Sequence, residues 1–172
     1  MAHAGRRLVG LARIRMITAM RWAILSIFAL IGAMQAASIA APLAPGLWLT
    51  GNKSGVVEIF PCGDQLCGKL AWFRVKPDDP NPQALDLKNP DPARRGRSLC
   101  GLVFMRGFKL VGPNDWEDGN IYDPESGNTY HGTMRLEPDG TLRLRGYIGI
   151  SLIGRSEVWT RYAQPLPSCP TR

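Results

Sequence analysis

The chain has 172 residues, of which 45% are hydrophobic and 20% are charged, and its 21 Lys and Arg outnumber its 14 Asp and Glu. Five of the basic residues and none of the acidic ones lie within residues 1–40, so the rest of the chain keeps 16 basic against 14 acidic residues, a net charge of +2. A folded part this close to neutral lacks the basic footprint of a nucleic-acid-binding domain, and its length suits one domain with its own core.

The first forty residues have the three parts of a secretory signal peptide. Five arginines precede the apolar run "WAILSIFALIGAM", and the small residues of "QAASIAAP" follow it. Since "SIA" fits the small-x-small cleavage pattern, we expect cleavage after Ala40 and a periplasmic or secreted domain of residues 41–172. The apolar run is shorter than the roughly 20 residues of a spanning helix, so we expect no membrane span after cleavage. An uncleaved anchor is the alternative, and Met20 is an alternative start to Met1.

The part that follows predicts about eight short strands and no helix of ten or more residues. The strand-like segments are rich in Val, Ile, Leu, Thr and aromatic residues, and Gly, Pro, Asp and Asn clusters separate them. They are "GLWLTG", "GVVEIF", "KLAWFRV", "LVFMRGFKLV", "GNIYD", "NTYHGTMRL", "TLRLRGYIG" and "RSEVWTRYA". Because sequential antiparallel strands must hide their edges, we predict an all-β fold, a single small antiparallel barrel. A sandwich is the alternative.

One long irregular segment interrupts the strands, residues 76–98. Its five prolines exclude a regular central strand or a continuous helix. Loops of this length in compact domains are functional lids or disordered segments. The segment also holds the one basic cluster of this part of the sequence, Arg94, Arg95 and Arg97. This cluster is either a solvated loop or a contact for an anionic ligand, a lipid headgroup or a partner at the barrel mouth.

Four cysteines fall in the exported part, namely Cys62, Cys67, Cys100 and Cys169. An even count in an oxidising compartment favours disulfides. Because "CGDQLC" lies between two strand-like runs, a hairpin turn would bring Cys62 and Cys67 together, and the second pair would then be Cys100 and Cys169. A zinc site is not expected, since His3 leaves with the signal peptide and His131 is alone.

The two ends of the barrel sequence carry a pattern of their own. Alternation in "EVWTR" places Glu157, Trp159 and Arg161 on one face, and Trp48 follows Gly46 by two residues at the start of the first strand. First and last strands are neighbours in a closed barrel, where a cation over an indole contributes about 0.5–2 kcal/mol. We therefore predict that these residues form the barrel seam. Gly-x-Trp with an Arg on the final strand is similar to the lipocalin pattern.

The chain also resembles the bacterial domain of unknown function 2147. The resemblance rests on "GLWLT", "VVEIFPCGDQLCGKLAW", "NPDPARRGRSLCGL", "NIYDPESGNTYHG" and "LRGYIGISLIGRSEVWTR", in that order. It implies an exported, small, lipocalin-like β-barrel of calycin type, without an established reaction. Cys62, Cys67 and Cys100 match the family pattern, and Cys169 lies outside it.

No group of residues in the sequence predicts a catalytic or metal site. His131 beside Tyr130 lacks a partner nucleophile, and we interpret it as structural or solvent-facing. The acidic segment "NDWEDGNIYDPE" fails the spacing of a calcium loop, because Trp116 occupies a ligand position. We therefore expect no enzyme activity and no cofactor or metal. An enzyme that uses His131 and a nearby carboxylate is the alternative.

Two functions follow from these observations. The first is an envelope carrier that binds a small apolar or amphipathic ligand inside the barrel, with residues 76–98 as a lid. Its candidate ligand residues are Trp72, Tyr147, Arg94, Arg95 and Arg97, and "GYIGISLIG" is either a bend or bulge in the closing strands or a ligand entrance. The second is a filled barrel that acts as an envelope protein-interaction module without a ligand. A ligand pocket of about 300–1,000 Å³ would favour the first, and a packed interior the second.

Overall fold

The computed structural model describes residues 44–170, which form a closed barrel of eight antiparallel strands. The strands are β1 (Gly46–Leu49), β2 (Gly55–Cys62), β3 (Gln65–Phe73), β4 (Val103–Gly112), β5 (Asp115–Asp123), β6 (Asn128–Leu136), β7 (Leu142–Tyr147) and β8 (Gly154–Arg161). Each strand pairs with the next, and β1 pairs with β8 to close the sheet. The predicted barrel is confirmed, and the sandwich alternative is wrong. The predicted signal peptide and its cleavage after Ala40 lie outside the described residues.

The antiparallel order gives the barrel two different ends. The end that we call the packed end carries the start of β1, the end of β8 and the short turns β2–β3, β4–β5 and β6–β7. The opposite one, the open end, carries the turns β1–β2, β5–β6 and β7–β8 together with the long connection 74–102 between β3 and β4. Among residues 44–170, no helix has the length and apolar character needed to cross a bilayer.

Strict alternation directs apolar side chains into the barrel. Met134 pairs with Leu144 and Leu136 pairs with Leu142 across β6 and β7, and all four are buried. The arginines between them are partly or fully exposed, as expected for a sheet with one wet face. The core continues around the barrel with Trp48, Val57, Ile59, Leu66, Met105, Phe108, Trp116 and Trp159.

Glycines on the inner face make room for large side chains in the centre of the barrel. A Cβ at Gly119 would overlap the Phe108 ring, and one at Gly132 would lie 2.9 Å from the same ring. A Cβ at Gly68 would lie 2.8 Å from the Met105 sulfur. Because such approaches are closer than van der Waals contact, the Phe108 ring and the Met105 side chain fill the space that a hollow barrel would leave empty.

The long connection 74–102 is fastened to the barrel by one buried carboxylate. Asp86 is fully buried; it accepts hydrogen bonds from the Tyr122 hydroxyl at 2.6 Å, from Arg97 Nε at 2.7 Å and from Asn89 Nδ2 at 2.8 Å. Tyr122 lies near the end of β5, so these bonds tie the connection to the neighbouring strand. A buried carboxylate needs such partners, because it would otherwise lose its hydration without compensation.

Two disulfides complete the fold, and both pairs are those expected from the sequence. Cys62 is joined to Cys67 across the β2–β3 turn. Cys100, just before β4, is joined to Cys169 in the tail that follows β8. The second bridge therefore fixes the C-terminal tail to the long connection.

Candidate binding site at the open end of the barrel

The packed end is sealed by the two strands that close the barrel. Trp48 is fully buried, and the Arg161 guanidinium carbon lies 4.0 Å from the centre of its ring. Trp48 Nε1 donates to the Ala44 carbonyl, and Arg161 Nη1 donates to the Pro45 carbonyl, both at 2.8 Å. Burial lowers the pKa of Arg161 below its usual value, as expected for a cation held against an apolar ring. Gly46 has a φ of 133°, and a Cβ there would overlap the same guanidinium.

Trp159 completes the seam from the other side. It is buried opposite Leu142, and its Nε1 donates to Glu157 Oε2 at 2.9 Å. All four predicted seam residues, Gly46, Trp48, Trp159 and Arg161, thus lie on β1 or β8. This end offers no room for a ligand, since indole, guanidinium and backbone carbonyls are already in contact there.

The open end has apolar side chains that the barrel does not fully cover. Leu70, Phe104 and Ile121 pack against the core but keep part of their surface exposed. Gly146 follows Leu142 and Leu144 on the inner face of β7, and a Cβ built on it would lie 3.8 Å from both Ile121 Cδ1 and Tyr130 Cβ. This is ordinary contact distance, so the space beside Gly146 is free of overlap, in contrast to that beside Gly119. The open end therefore presents three partly exposed apolar side chains, Leu70, Phe104 and Ile121, which we call the apolar floor, and Gly146 beside them has room for a Cβ.

The pairing between β1 and β8 is shorter than that between β7 and β8. In the paired register, β1 meets β8 only through Trp48–Arg161 and Leu49–Thr160, while β8 continues to pair with β7 as far as Gly154. Residues 154–157 thus have a strand neighbour on one side only. Arg155 and Glu157 alternate with Trp159 toward the barrel, and both are exposed. They place one positive and one negative group at the edge of the apolar floor.

The residues predicted to contact a ligand lie in separate places. Trp72 is half-buried near the end of β3, opposite Val56. Tyr147 lies on the outer face of β7, where its ring is 5.6 Å from that of the exposed His131. It does not form part of the inner wall. The segment "GYIGISLIG" is the end of β7 and the turn into β8, not a bulge within a strand.

The three arginines of the long connection are engaged within it. Arg94 forms an ion pair with Asp91 at 3.1 Å, and Arg95 Nε donates to the Asn89 carbonyl at 2.8 Å. Arg97 binds Asp86 and lies 5.6 Å from the centre of the Tyr122 ring. The structure thus gives these arginines local structural partners, and Arg94 and Arg95 keep exposed surface at the same end of the barrel.

A charged concavity of about 250 Å³ lies on the outer wall of the barrel. Four of its six charged residues form two ion pairs, Arg135 Nε with Asp115 at 2.5 Å and Arg143 Nε with Glu137 at 2.6 Å. The hydrogen bond that Arg135 donates to Asp115 raises the pKa of Arg135. Because its groups already neutralise each other, this concavity suits solvated ion pairs better than an apolar ligand.

Sequence reasoning missed the apolar floor of Leu70, Phe104 and Ile121 and the position of Gly146 beside it. One signal was present, since the alternation of "TLRLRG" places Gly146 on the same face as Leu142 and Leu144. The proximity of Ile121 and Leu70 had no such signal, because it depends on the register of four separate strands.

Comparison with known proteins agrees with this architecture. Residues 46–161 match the family described as uncharacterized proteins conserved in bacteria, the domain of unknown function 2147. No functionally curated protein matches the sequence. A solved structure described as "Protein HP1028 from the human pathogen Helicobacter pylori belongs to the lipocalin family" is similar, with 26% identity and a TM-score of 0.62 over 69% of this chain and 82% of that one. The chain therefore belongs to the bacterial domain of unknown function 2147 family, and its fold is a lipocalin-like β-barrel.

Proposed function

We propose that this protein binds a small amphipathic molecule at the open end of its barrel, within the bacterial envelope. The observation that carries the proposal is the apolar floor at the open end, whose side chains stay partly exposed beside Gly146, where a Cβ would meet its neighbours at ordinary contact distance. Ligand sites are typically concave and mostly apolar, with a few polar groups at their edge. The likeness to a protein described as a member of the lipocalin family supports the same class of function.

The ligand would lie near the open end of the barrel, and not in its centre. Phe108 and Met105 occupy the centre, so the apolar part of the ligand would rest above them, against Ile121 and Leu70. Covering such surface contributes about 25 cal/mol per Å². The polar part would face Arg155 and Glu157, on the part of β8 that does not pair with β1. This arrangement favours an amphipathic ligand over a fully apolar one.

The long connection would act as a fixed rim of the site. Its buried Asp86 is bonded to Tyr122, and Arg97 lies over the same ring. Moving the connection away from the barrel would break these contacts together. We therefore propose a rim that limits access from one side, with Arg94 and Arg95 available to an anionic group of the ligand.

We also propose that the protein acts by binding and not by catalysis. His131 is exposed and its ring lies against Tyr147 on the outer face, away from the apolar floor. The envelope location rests on the signal-peptide pattern of residues 1–40 and cleavage after Ala40. Sequencing the N-terminus of the exported protein tests it, and a chain that keeps the apolar run in the membrane fraction would contradict it.

Native mass spectrometry of protein isolated from the producing bacterium tests the binding proposal. The variant Gly146→Leu would add a large side chain beside the apolar floor, and we expect it to lose a co-purifying small molecule that the unchanged protein carries. Arg143→Leu is the matched control, since it adds the same side chain to the same strand on the outer face. It should retain the molecule. Equal occupancy in both variants would contradict a site at the open end.

A second function is favoured by the packed centre of the barrel. An interior filled by Phe108 and Met105 is expected of a module that acts through its surface without a ligand. If all three proteins are empty and an envelope protein co-purifies with them, this interaction module replaces the binding proposal.

A further inference from the structure

We propose that the tip of the β7–β8 hairpin, residues 148–153, docks into the headgroup layer of a membrane rich in anionic phospholipid. We call this segment the hairpin tip. The inference goes beyond the ligand site, because the hairpin tip could hold the barrel on a membrane whether or not the open end is occupied.

The hairpin tip concentrates exposed aliphatic side chains. Ile148 is 62% exposed, Ile150 60%, Leu152 86% and Ile153 71%. Single exposed apolar residues are common on soluble proteins, but four within six residues form a contiguous patch, and such patches mark interaction sites. Since these side chains contribute nothing to the core of the barrel, a partner outside the chain is the physical reason to keep them.

The shape of the hairpin tip favours a fluid partner over a rigid one. Residues 148–153 lie beyond the last pair of β7 and β8, Tyr147–Gly154, and their aliphatic side chains are mostly exposed, so the hairpin tip projects from the paired strands. One backbone hydrogen bond, from Ile153 N to the Ile150 carbonyl at 3.1 Å, closes the turn. Arg145 Nε donates to the Ser151 carbonyl at 3.0 Å and holds the turn against β7. An exposed apolar turn such as the hairpin tip can enter a lipid layer without a preformed pocket.

The charge around the hairpin tip selects an anionic surface. Arg145 on β7 and Arg155 on β8 flank it, and no acidic residue lies between Asp139 and Glu157 in the sequence. Basic residues next to an inserted apolar segment attract anionic headgroups, and each changes affinity by about fivefold. The hydrated headgroup layer also supplies hydrogen-bond partners to the backbone groups of the turn, which the hydrocarbon interior could not. Insertion should therefore be shallow.

Co-sedimentation with lipid vesicles tests the proposal. The exported protein, isolated from the producing bacterium, is mixed with vesicles of phosphatidylglycerol and phosphatidylethanolamine, or with vesicles of phosphatidylcholine alone, and the bound fraction is measured at low and at high salt. We expect binding to the anionic vesicles, weaker binding at high salt, and at least a tenfold loss of affinity in the variant Ile150→Ser with Leu152→Ser. Both substitutions are at exposed positions, so the barrel should stay folded.

The chain offers a matched control at its packed end. Leu110 and Val111 are 60% and 57% exposed near the β4–β5 turn, and Leu110→Ser with Val111→Ser should leave vesicle binding unchanged. All proteins compared are isolated in the same way and have the same N-terminus, so they differ only at the substituted positions. Arg155→Gln should weaken binding to anionic vesicles by about fivefold and leave the weak binding to phosphatidylcholine as it is.

Two outcomes would overturn the inference. One is equal vesicle binding by the unchanged protein and the hairpin-tip variant. The other is no binding to either kind of vesicle while an envelope protein is cross-linked through position 152, which would assign the patch to a protein partner. Failure of the ligand site is distinguishable from both, because Gly146→Leu should lose the small molecule and retain vesicle binding.

Discussion

The two ends of this barrel differ in how far the chain covers its own apolar side chains. At the packed end, Trp48 and Arg161 are stacked and both are hydrogen-bonded to backbone carbonyls. At the open end, Leu70, Phe104 and Ile121 stay partly exposed, and the hairpin tip exposes four aliphatic side chains. One end is closed by contacts within the chain, whereas the other carries the larger group of exposed aliphatic side chains among the described residues, four against Leu110 and Val111 at the packed end.

This difference indicates where stability and function reside. Close packing at one end gives the barrel the free energy that an open apolar end does not supply. Substitutions at the packed end should therefore change the free energy of unfolding, whereas those at the open end should change binding and leave stability nearly the same. The predictions below test this division.

The largest effect is expected at the seam. Replacing Trp48 by Ala removes a fully buried indole together with its contact to Arg161, and should lower the free energy of unfolding by about 3–5 kcal/mol. Denaturation by urea, followed by circular dichroism, measures it. Leu152→Ala at the hairpin tip is the comparison and should change stability by less than about 0.5 kcal/mol. A loss below about 1 kcal/mol for Trp48→Ala would mean that the seam does not stabilise the barrel.

The next effect concerns the covalent link between the tail and the long connection. Cys100 and Cys169 are 69 residues apart in sequence, whereas Cys62 and Cys67 are five apart. Replacing Cys100 and Cys169 by Ala should lower the free energy of unfolding by about 2–4 kcal/mol, because the bridge restricts the unfolded chain over a long loop. Replacing the other pair should cost about 2 kcal/mol less. An equal cost for both pairs would show that loop length is not the determining factor.

A smaller difference in stability is expected between a substitution in the filled centre of the barrel and one near the open end. Gly119→Ala should cost about 1–3 kcal/mol, since its Cβ would overlap the Phe108 ring. Gly146→Ala has ordinary contacts at 3.8 Å and should leave stability unchanged or raise it by up to about 1 kcal/mol, because glycine within a strand is less favourable than alanine. Thermal unfolding of the two variants measures the difference. Combining Gly119→Ala with Phe108→Leu tests the cause, because a smaller side chain should relieve part of the overlap.

Much of this architecture could be predicted from the sequence because it depends on local patterns. Alternation in "TLRLR" and turn residues such as those of "EPDG" define strands and hairpins within a few residues of one another. Barrel closure followed from the number of strands and the need to hide their edges. The Cys62–Cys67 bridge followed from the turn between β2 and β3. The signal peptide stays a prediction, since residues 1–40 lie outside the described part of the chain.

The features that the sequence did not reveal all depend on distant pairs. The packed centre arises where Phe108 of β4 meets Gly119 of β5 and Gly132 of β6, and no one segment contains that information. The buried position of Asp86 has the same origin, since Tyr122 lies 36 residues away and approaches only after β5 is in place. The sequence showed an apolar "ISLI" segment but not the side on which it would lie, because alternation ends at the turn around Gly149.

The smallest effect is expected where the long connection is fastened to the open end. Tyr122→Phe removes one of three donors to the buried Asp86 carboxylate. Arg97 and Asn89 continue to donate, so the loss should be about 1 kcal/mol at neutral pH. Chemical denaturation measures it, and Tyr162→Phe is the control, because that hydroxyl makes one long bond of 3.4 Å to the Pro165 carbonyl.

The pH dependence of the free energy of unfolding distinguishes the loss of this hydrogen bond in Tyr122→Phe from a simple loss of packing. Burial, and then the hydrogen bond to Asp86, raises the pKa of Tyr122 above its usual value of 10.0. Because the folded protein holds this proton more tightly than the unfolded chain, the contribution is complete below pH 10.0 and is lost as the pH rises through the folded pKa. The free energy of unfolding should therefore fall more steeply above this pH in the unchanged protein than in Tyr122→Phe, so that the two curves converge. Parallel curves would show that the Tyr122–Asp86 bond does not hold the connection at the open end.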